Sequence, residues 1–450
     1  MRLLPAITIA CLFLATVALG QCVPEQVFSP SAFPNDFGGS VELSDRHLLV
    51  GDVTEHSICG DVFCSNGMVF AYERGPDGEW LFTQSITPAG LGVFGGFGSG
   101  LRLDRDRFMS AAREIVGPGM SSVHEFLFDG ERWVEGETLL APDGRKLIKV
   151  LALRGDTALI RDDFENLLRF RLGDDGWAYV DEIRNPDVPA PTRTGYGGAV
   201  LDDDWIIVSA FNEALIAPNG GAVYVYRRTP GDGIELHQKL IAPDVMDGPR
   251  FGSSLALQGD ELLVGSQNSD RMFTSEGVVY AYDLIDELWM SRGEIGNPDP
   301  QLNDSFGKTM ALSGDQLVVA SVSDRTPLSL GASYLFERDL DGQWQYVADL
   351  FPTSGTGQFG ADVEVWGDTI AIGSPDTIVG DEAPGSFYLF DATCTPCVAD
   401  LDTDGRATIY DYLMFFNLFE ARDPIADLDG DRQFTLFDFM LFQDAFDAGC

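Results

Sequence analysis

Two twelve-residue acidic runs near the C-terminus carry the clearest chemistry in the chain. Asp400-Leu401-Asp402-Thr403-Asp404-Gly405-Arg406-Ala407-Thr408-Ile409-Tyr410-Asp411 is answered 27 residues later by Asp427-Leu428-Asp429-Gly430-Asp431-Arg432-Gln433-Phe434-Thr435-Leu436-Phe437-Asp438. Carboxylates at positions 1, 3, 5 and 12, with a backbone carbonyl at position 7, make the hard-oxygen cage that Ca²⁺ prefers. One such run reads as a solvated turn; two at a fixed interval, each leading into an apolar helix, predict two Ca²⁺ sites. Position 6, where the loop turns through positive φ, is Gly405 in the first run but Arg432 in the second. A residue with a Cβ gives up roughly 1–2 kcal/mol there, about tenfold in affinity, so the second site is expected to be the weaker.

These loops follow a long array of strands. Aromatic-Gly pairs stand at Phe37-Gly38, Phe97-Gly98, Tyr196-Gly197, Phe251-Gly252, Phe306-Gly307 and Phe359-Gly360, with spacings of 60, 99, 55, 55 and 53 residues. The longest gap holds two units, the hidden one near Val150–Trp177 and keeping only its turn, Gly155-Asp156. The clearest unit runs from Phe251 to Trp289: Leu255 and Leu257 alternate into Gly259-Asp260, Leu262-Leu263-Val264-Gly265 follows, and Gly277-Val278-Val279-Tyr280-Ala281-Tyr282 leads to the Trp. Four short strands per unit, none able to bury both faces alone, predict a mainly β fold, a seven-bladed β-propeller.

The Phe-Gly openings with Leu-Leu-Val-Gly and Val-Tyr-x-Tyr strands resemble FG-GAP repeats, the units of the integrin α-chain propeller, over roughly residues 23 to 392. The seventh unit stops at Tyr388-Leu389-Phe390, while Gln26-Val27-Phe28-Ser29-Pro30 is similar to an outer strand such as Gln238-Lys239-Leu240-Ile241-Ala242-Pro243. The N-terminal segment is therefore expected to supply the last blade's outer strand and leave no open edge at the seam.

The duplicated loop-helix units resemble the dockerin family, and the closing Phe446-Asp447-Ala448-Gly449-Cys450 looks like GC-terminated dockerin-type tails on secreted bacterial proteins. The resemblance implies a small α domain with two Ca²⁺ loop-helix units. It assigns Asp400, Asp402, Asp404, the Arg406 carbonyl and Asp411 to the first site. Asp427, Asp429, Asp431, the Gln433 carbonyl and Asp438 fall to the second. In dockerins the partner, a cohesin, is gripped near loop positions 10 and 11, here Ile409-Tyr410 and Leu436-Phe437. Two short helices cannot hide all their aromatics against each other, so some face a partner, the propeller or a cell-surface layer.

Residues 1–20 read as a secretory signal peptide, 21–392 as the propeller, 393–398 as a linker and 399–450 as the tail. No other segment is apolar for long enough to cross a bilayer. Six cysteines follow the leader. Cys59 with Cys64, Cys22 with Cys394, and Cys397 with Cys450 are candidate disulfides drawn from topology among fifteen possible pairings. A net charge of −42 argues against a nucleic-acid partner.

Catalytic machinery is not visible. His47, His56, His124 and His237 are scattered along the chain without metal-ligand spacing, and Gly90-x-Gly92-x-x-Gly95 has no helix to receive a phosphate. Acidic pairs such as Asp162-Asp163 read as turn carboxylates. The leading expectation is a secreted, non-catalytic propeller that binds or displays, attached to an extracellular or cell-surface partner by a Ca²⁺-dependent tail. The alternatives are an extracellular polysaccharide-active enzyme delivered by the tail and a structural surface-layer component.

Overall fold

The structure is a computed structural model. It describes Gln21 to Ala448 except residues 23, 25, 29–36, 53–55, 60–61, 66, 90–95, 114–120, 189–195, 213–219, 244–248, 271, 323–330, 353–357, 376–384, 394–398, 400, 402–407, 424–425, 427 and 429–432. The expected leader and the Gly90–Gly95 run lie outside these residues. The chain divides into two compact units, Pro24–Cys394 and a second that holds Thr395–Cys450.

The larger unit is a seven-bladed propeller. Each blade carries four antiparallel strands; in the fifth they are Phe251–Gln258, Glu261–Ser266, Val278–Ile285 and Leu288–Gly296. The seven first strands are Ser40–Leu43, Ser99–Asp104, Leu147–Arg154, Gly198–Leu201, Phe251–Gln258, Phe306–Ser313 and Val363–Trp366. Each touches the first strand of the next blade, and the seventh touches the first. They therefore line the ring's centre.

Second strands such as Trp205–Ala210 and Thr369–Ser374 are buried throughout, since neighbouring blades cover both faces. That is why they read as continuous apolar runs. Fourth strands lie outside; Trp80–Ile86 and Trp133–Leu139 are buried at both ends and largely exposed between. The core is divided between blades: one cluster joins Ala371, Phe387 and Leu389 of the seventh to Phe37, Val41 and Val50 of the first.

The Phe-Gly pair is an inter-blade fastener. Its aromatic ring is buried in every copy, and Gly385, which leads into the third strand of blade seven, forms a parallel bridge with Phe37 of blade one. Gly67 with Phe97 and Gly277 with Phe306 repeat that bridge. A Cβ on Gly385 would stand 2.3 Å from the Phe37 carbonyl, so only glycine admits so close an approach. In the eroded third unit Leu147, paired with Asp162, takes the register place that Phe251 has opposite Ser266.

The seam closes as expected. Gln26–Phe28 pairs with the last strand of blade seven in the register Gln26↔Leu389, Val27↔Tyr388, Phe28↔Phe387. The Phe28 and Phe387 rings stack at 4.5 Å.

A separate hairpin, His56–Cys59 with Val62–Ser65, leaves blade one, with Cys64 opposite Ser57 and Cys59 opposite Val62. Cys22 is buried and disulfide-bonded. The side chains of the other candidate cysteines lie outside the described residues. Among the described residues no helix is long and apolar enough to cross a membrane.

The second unit contains helices α1 (Ile409–Ala421) and α2 (Leu436–Ala448). Thr408 caps α1 in a capping box with Asp411, and Arg422 ends it in the left-handed conformation. Phe415 and Phe442, 27 positions apart, stack at 4.1 Å with planes 7° apart and form the centre of a core with Ala399 and Ala426.

Candidate functional site

In the tail, seven of the ten residues assigned to metal lie outside the described residues: Asp400, Asp402, Asp404, Arg406, Asp427, Asp429 and Asp431. Gln433, Asp411 and Asp438 are described. The two aspartates, at loop position 12, are fully buried at the start of their helices. Asp411 Oδ1 accepts from the Leu401 N–H at 2.8 Å, and its Oδ2 from the Thr408 N–H at 2.8 Å and the Thr408 hydroxyl at 2.9 Å. Asp438 repeats this with the Leu428 N–H at 2.9 Å, the Thr435 N–H at 2.7 Å and the Thr435 hydroxyl at 3.4 Å. A loop's second residue and its last are thus tied together in both units.

The duplication extends to the surface. Ile409 and Leu436, Tyr410 and Phe437, and Leu413 and Met440 are equivalent pairs, and all six side chains are exposed. Their partners in sequence, Phe415, Phe442 and the half-buried Phe419 and Phe446, turn inward.

The propeller holds a cluster that reading the sequence missed. Register with the second strand places Glu42, Arg102, Ala152, Val200, Ala256, Ala311 and Glu364 at one equivalent position of the seven first strands. Four of these are Ala or Val; the three charged ones are consecutive around the ring, in blades seven, one and two. Arg102 Nη1 donates to Glu42 Oε1 at 2.7 Å, and its Nε donates to the Leu151 carbonyl at 2.9 Å. Glu42 Oε2 accepts from the Leu103 N–H at 2.9 Å, and Asp362 Oδ2 from the Val41 N–H at 3.0 Å. These bonds run from blade seven to blade three in sequence.

Burial dominates their ionisation. It pushes the Glu42 carboxyl up to about 7 against the pull of Arg102. Burial, with the charges of Glu42 and Asp362, holds Glu364 well above the usual carboxylate range. Lys149 is lowered to about 8 by burial and by Arg102. Its stem lies over Gly100, where a Cβ would come within 2.4 Å.

Beside this cluster, at the end of the channel formed by the turns between first and second strands, a cavity of about 1020 Å³ opens. Blades one to four form most of its wall, with Leu257 of the fifth and Trp366 of the seventh.

Three of the four histidines bond within the propeller, and the side chain of His56 lies outside the described residues. His47 Nε2 lies 3.0 Å from Asp106 Oδ1, His124 Nε2 lies 2.9 Å from the Ser122 hydroxyl, and His237 Nε2 lies 2.6 Å from the Glu287 carbonyl. Asp339-Leu340-Asp341-Gly342 is a turn in which Asp339 Oδ1 accepts from the Asp341 and Gln343 N–H groups.

A family model described as FG-GAP repeat matches residues 235–282, from the outer strand of blade four through the third strand of blade five. No curated protein matches the chain in sequence. Among solved structures, the Cps50 (Swd1) β-propeller domain of Myceliophteria thermophila is 12% identical with a TM-score of 0.50, covering 82% of this chain and 99% of its own. A proposed 6-phosphogluconolactonase of Bacteroides fragilis is 14% identical with a TM-score of 0.46, covering 77% and 92%. At 12% identity the likeness to the Cps50 domain concerns the fold alone.

Proposed function

We propose that the chain is a secreted, non-catalytic binding or display module whose propeller is attached to an extracellular or cell-surface partner through a Ca²⁺-dependent, dockerin-like tail. One observation carries this reading: Asp411 and Asp438 make the same hydrogen bonds at the same place in two loop-helix units. Together with the oxygen donors of each run, they fit a hard cation of Ca²⁺ type. Asp400, Asp402, Asp404, the Arg406 carbonyl and Asp411 would hold one ion, and Asp427, Asp429, Asp431, the Gln433 carbonyl and Asp438 the other. Bound Ca²⁺ would neutralise carboxylates that otherwise repel, and so order the loops. The exposed pairs Ile409-Tyr410 and Leu436-Phe437 then form a partner surface of cohesin-binding type.

The enzyme reading draws on Glu364, whose carboxyl is raised above the usual carboxylate range by burial and by the charges of Glu42 and Asp362. Glycoside hydrolysis needs a second carboxylate at a set distance, as nucleophile or base. Glu42, its counterpart in the next blade, has both oxygens engaged by Arg102 and Leu103, which favours a fastening role.

Calorimetric titration of Ca²⁺ into the chelator-treated full chain tests the proposal. Two binding events with increased protection of 399–450 from hydrogen exchange are expected. No heat and unchanged exchange would overturn it.

A further inference from the structure

We propose that the cavity at the turn end of the channel binds an acidic saccharide, the end of a uronate-containing chain. Arg102, Arg105 and Arg154 take its carboxylate, Trp366 its ring face, and Asp45 and Asp203 its hydroxyls. This deepens the reading of the propeller as a binding module and is independent of the tail.

The turns themselves carry the first argument. Their left-handed position is glycine in four units, Gly155, Gly259, Gly314 and Gly367, with φ of 57°, 57°, 61° and 60°. The second unit places Arg105 there at φ 57°. An arginine kept in a conformation that its sister units leave to glycine is a local strain without local benefit, and such strain collects at binding sites. Arg105 and Arg154 both line the cavity, and neither has a hydrogen bond or ion pair among the described residues. Arg102 also lines it, with Nη1 held by Glu42.

The position just before that glycine is Arg154 in the third unit and Trp366 in the seventh. Trp366 is 48% exposed, whereas Trp80, Trp133, Trp205 and Trp289 are buried. An indole face left to solvent at a cavity rim suits the C–H face of a sugar ring.

Four carboxylates also line the cavity, of which Asp104 accepts from the Gly155 N–H and Asp106 is engaged by His47. Asp45 and Asp203 are exposed wall residues that make no side-chain bond among the described residues. They repel a simple dicarboxylate but accept from hydroxyls, while the guanidinium groups call for an anionic oxygen pair. A uronate offers both. The cavity's size admits more than one sugar residue.

Trigalacturonate and the neutral maltotriose, titrated separately into the full chain, give the test, read by tryptophan fluorescence and calorimetry with reducing ends assayed in the same samples. Trigalacturonate is expected to bind, with affinity reduced at least about tenfold by Arg154→Ala, by Trp366→Ala and by Arg105→Gly. The last variant removes strain, so its loss of binding is not a loss of folding. Equal binding of maltotriose, unchanged affinity in the arginine variants, or no binding by a chain whose tail still responds to Ca²⁺ would overturn the site and leave the display reading standing. New reducing ends would overturn the non-catalytic reading, while loss of binding in Arg105→Gly would still support the site.

Discussion

Gln26 Oε1 accepts a hydrogen bond from the Trp80 N–H at 3.3 Å, across the seam between blades seven and one. Gln84 makes the same latch to Trp133 at 2.9 Å, and Gln238 to Trp289 at 2.9 Å; both also return a bond from Nε2 to the Trp carbonyl. The strand borrowed from the N-terminus is therefore fastened as an ordinary outer strand.

Weakening that strand should loosen the whole ring. Phe28→Ala removes a ring stacked on Phe387 and edge-on to Tyr72, and is expected to cost about 3 kcal/mol. Chemical denaturation of the variant should show a lower midpoint for the entire propeller, whereas loss confined to the last blade would contradict cooperative closure.

The two tail sites should be unequal. Asp404→Ala is expected to remove the tighter Ca²⁺ event in calorimetry. Arg432→Gly should strengthen the weaker by about tenfold, from roughly 1–2 kcal/mol of relieved backbone strain.

The channel cluster sets a pH dependence. Glu42 and Glu364 have pKa values raised by burial, so the folded state holds their protons more tightly than the unfolded chain. Their contribution is fully present below about 4.5 and, for Glu42, is lost as pH rises through about 7. Stability, followed through the thermal midpoint, should fall across that window, by at most about 3 kcal/mol for Glu42. Glu364→Gln, which cannot ionise, should flatten the profile; an unchanged profile would exclude Glu364 as a contributor.

Arg105→Gly is expected to stabilise the propeller by about 0.5–1 kcal/mol, the relief of left-handed strain less the freedom glycine gains when unfolded. Thermal unfolding of the full chain at saturating Ca²⁺ measures it.

Most of the architecture was legible because each unit repeats its own turn chemistry: Gly259-Asp260 and Phe251-Gly252 declare a blade locally, and Gln26 matches Gln238 at the seam. The equivalence of Asp411 and Asp438 was legible for the same reason, as a pattern answered at fixed spacing. Glu42, Arg102 and Glu364 were not, because each blade contributes one residue and their nearness exists only once the ring is closed. A signal was present nonetheless: aligned on the turns, four units place Ala or Val where these three carry charge. Arg105 and Trp366 hide in the same way, conspicuous only beside the glycine, serine or glutamine of their sister units.

The borrowed strand also has a consequence in time. Phe28 leaves the ribosome about 360 residues before Phe387, the partner it pairs with. At synthesis rates of roughly 5–20 residues per second, that is a wait of about 20–70 s with the last place in the ring unfilled. Blades one to six can collapse against one another in order of birth, but the circle is sealed only after translation has passed its final strand. A circular permutant that begins at the first blade and carries Gln26–Phe28 after residue 391 would abolish the wait. Its yield on rapid expression, set against that of the natural order, would reveal how much this delay costs the cell.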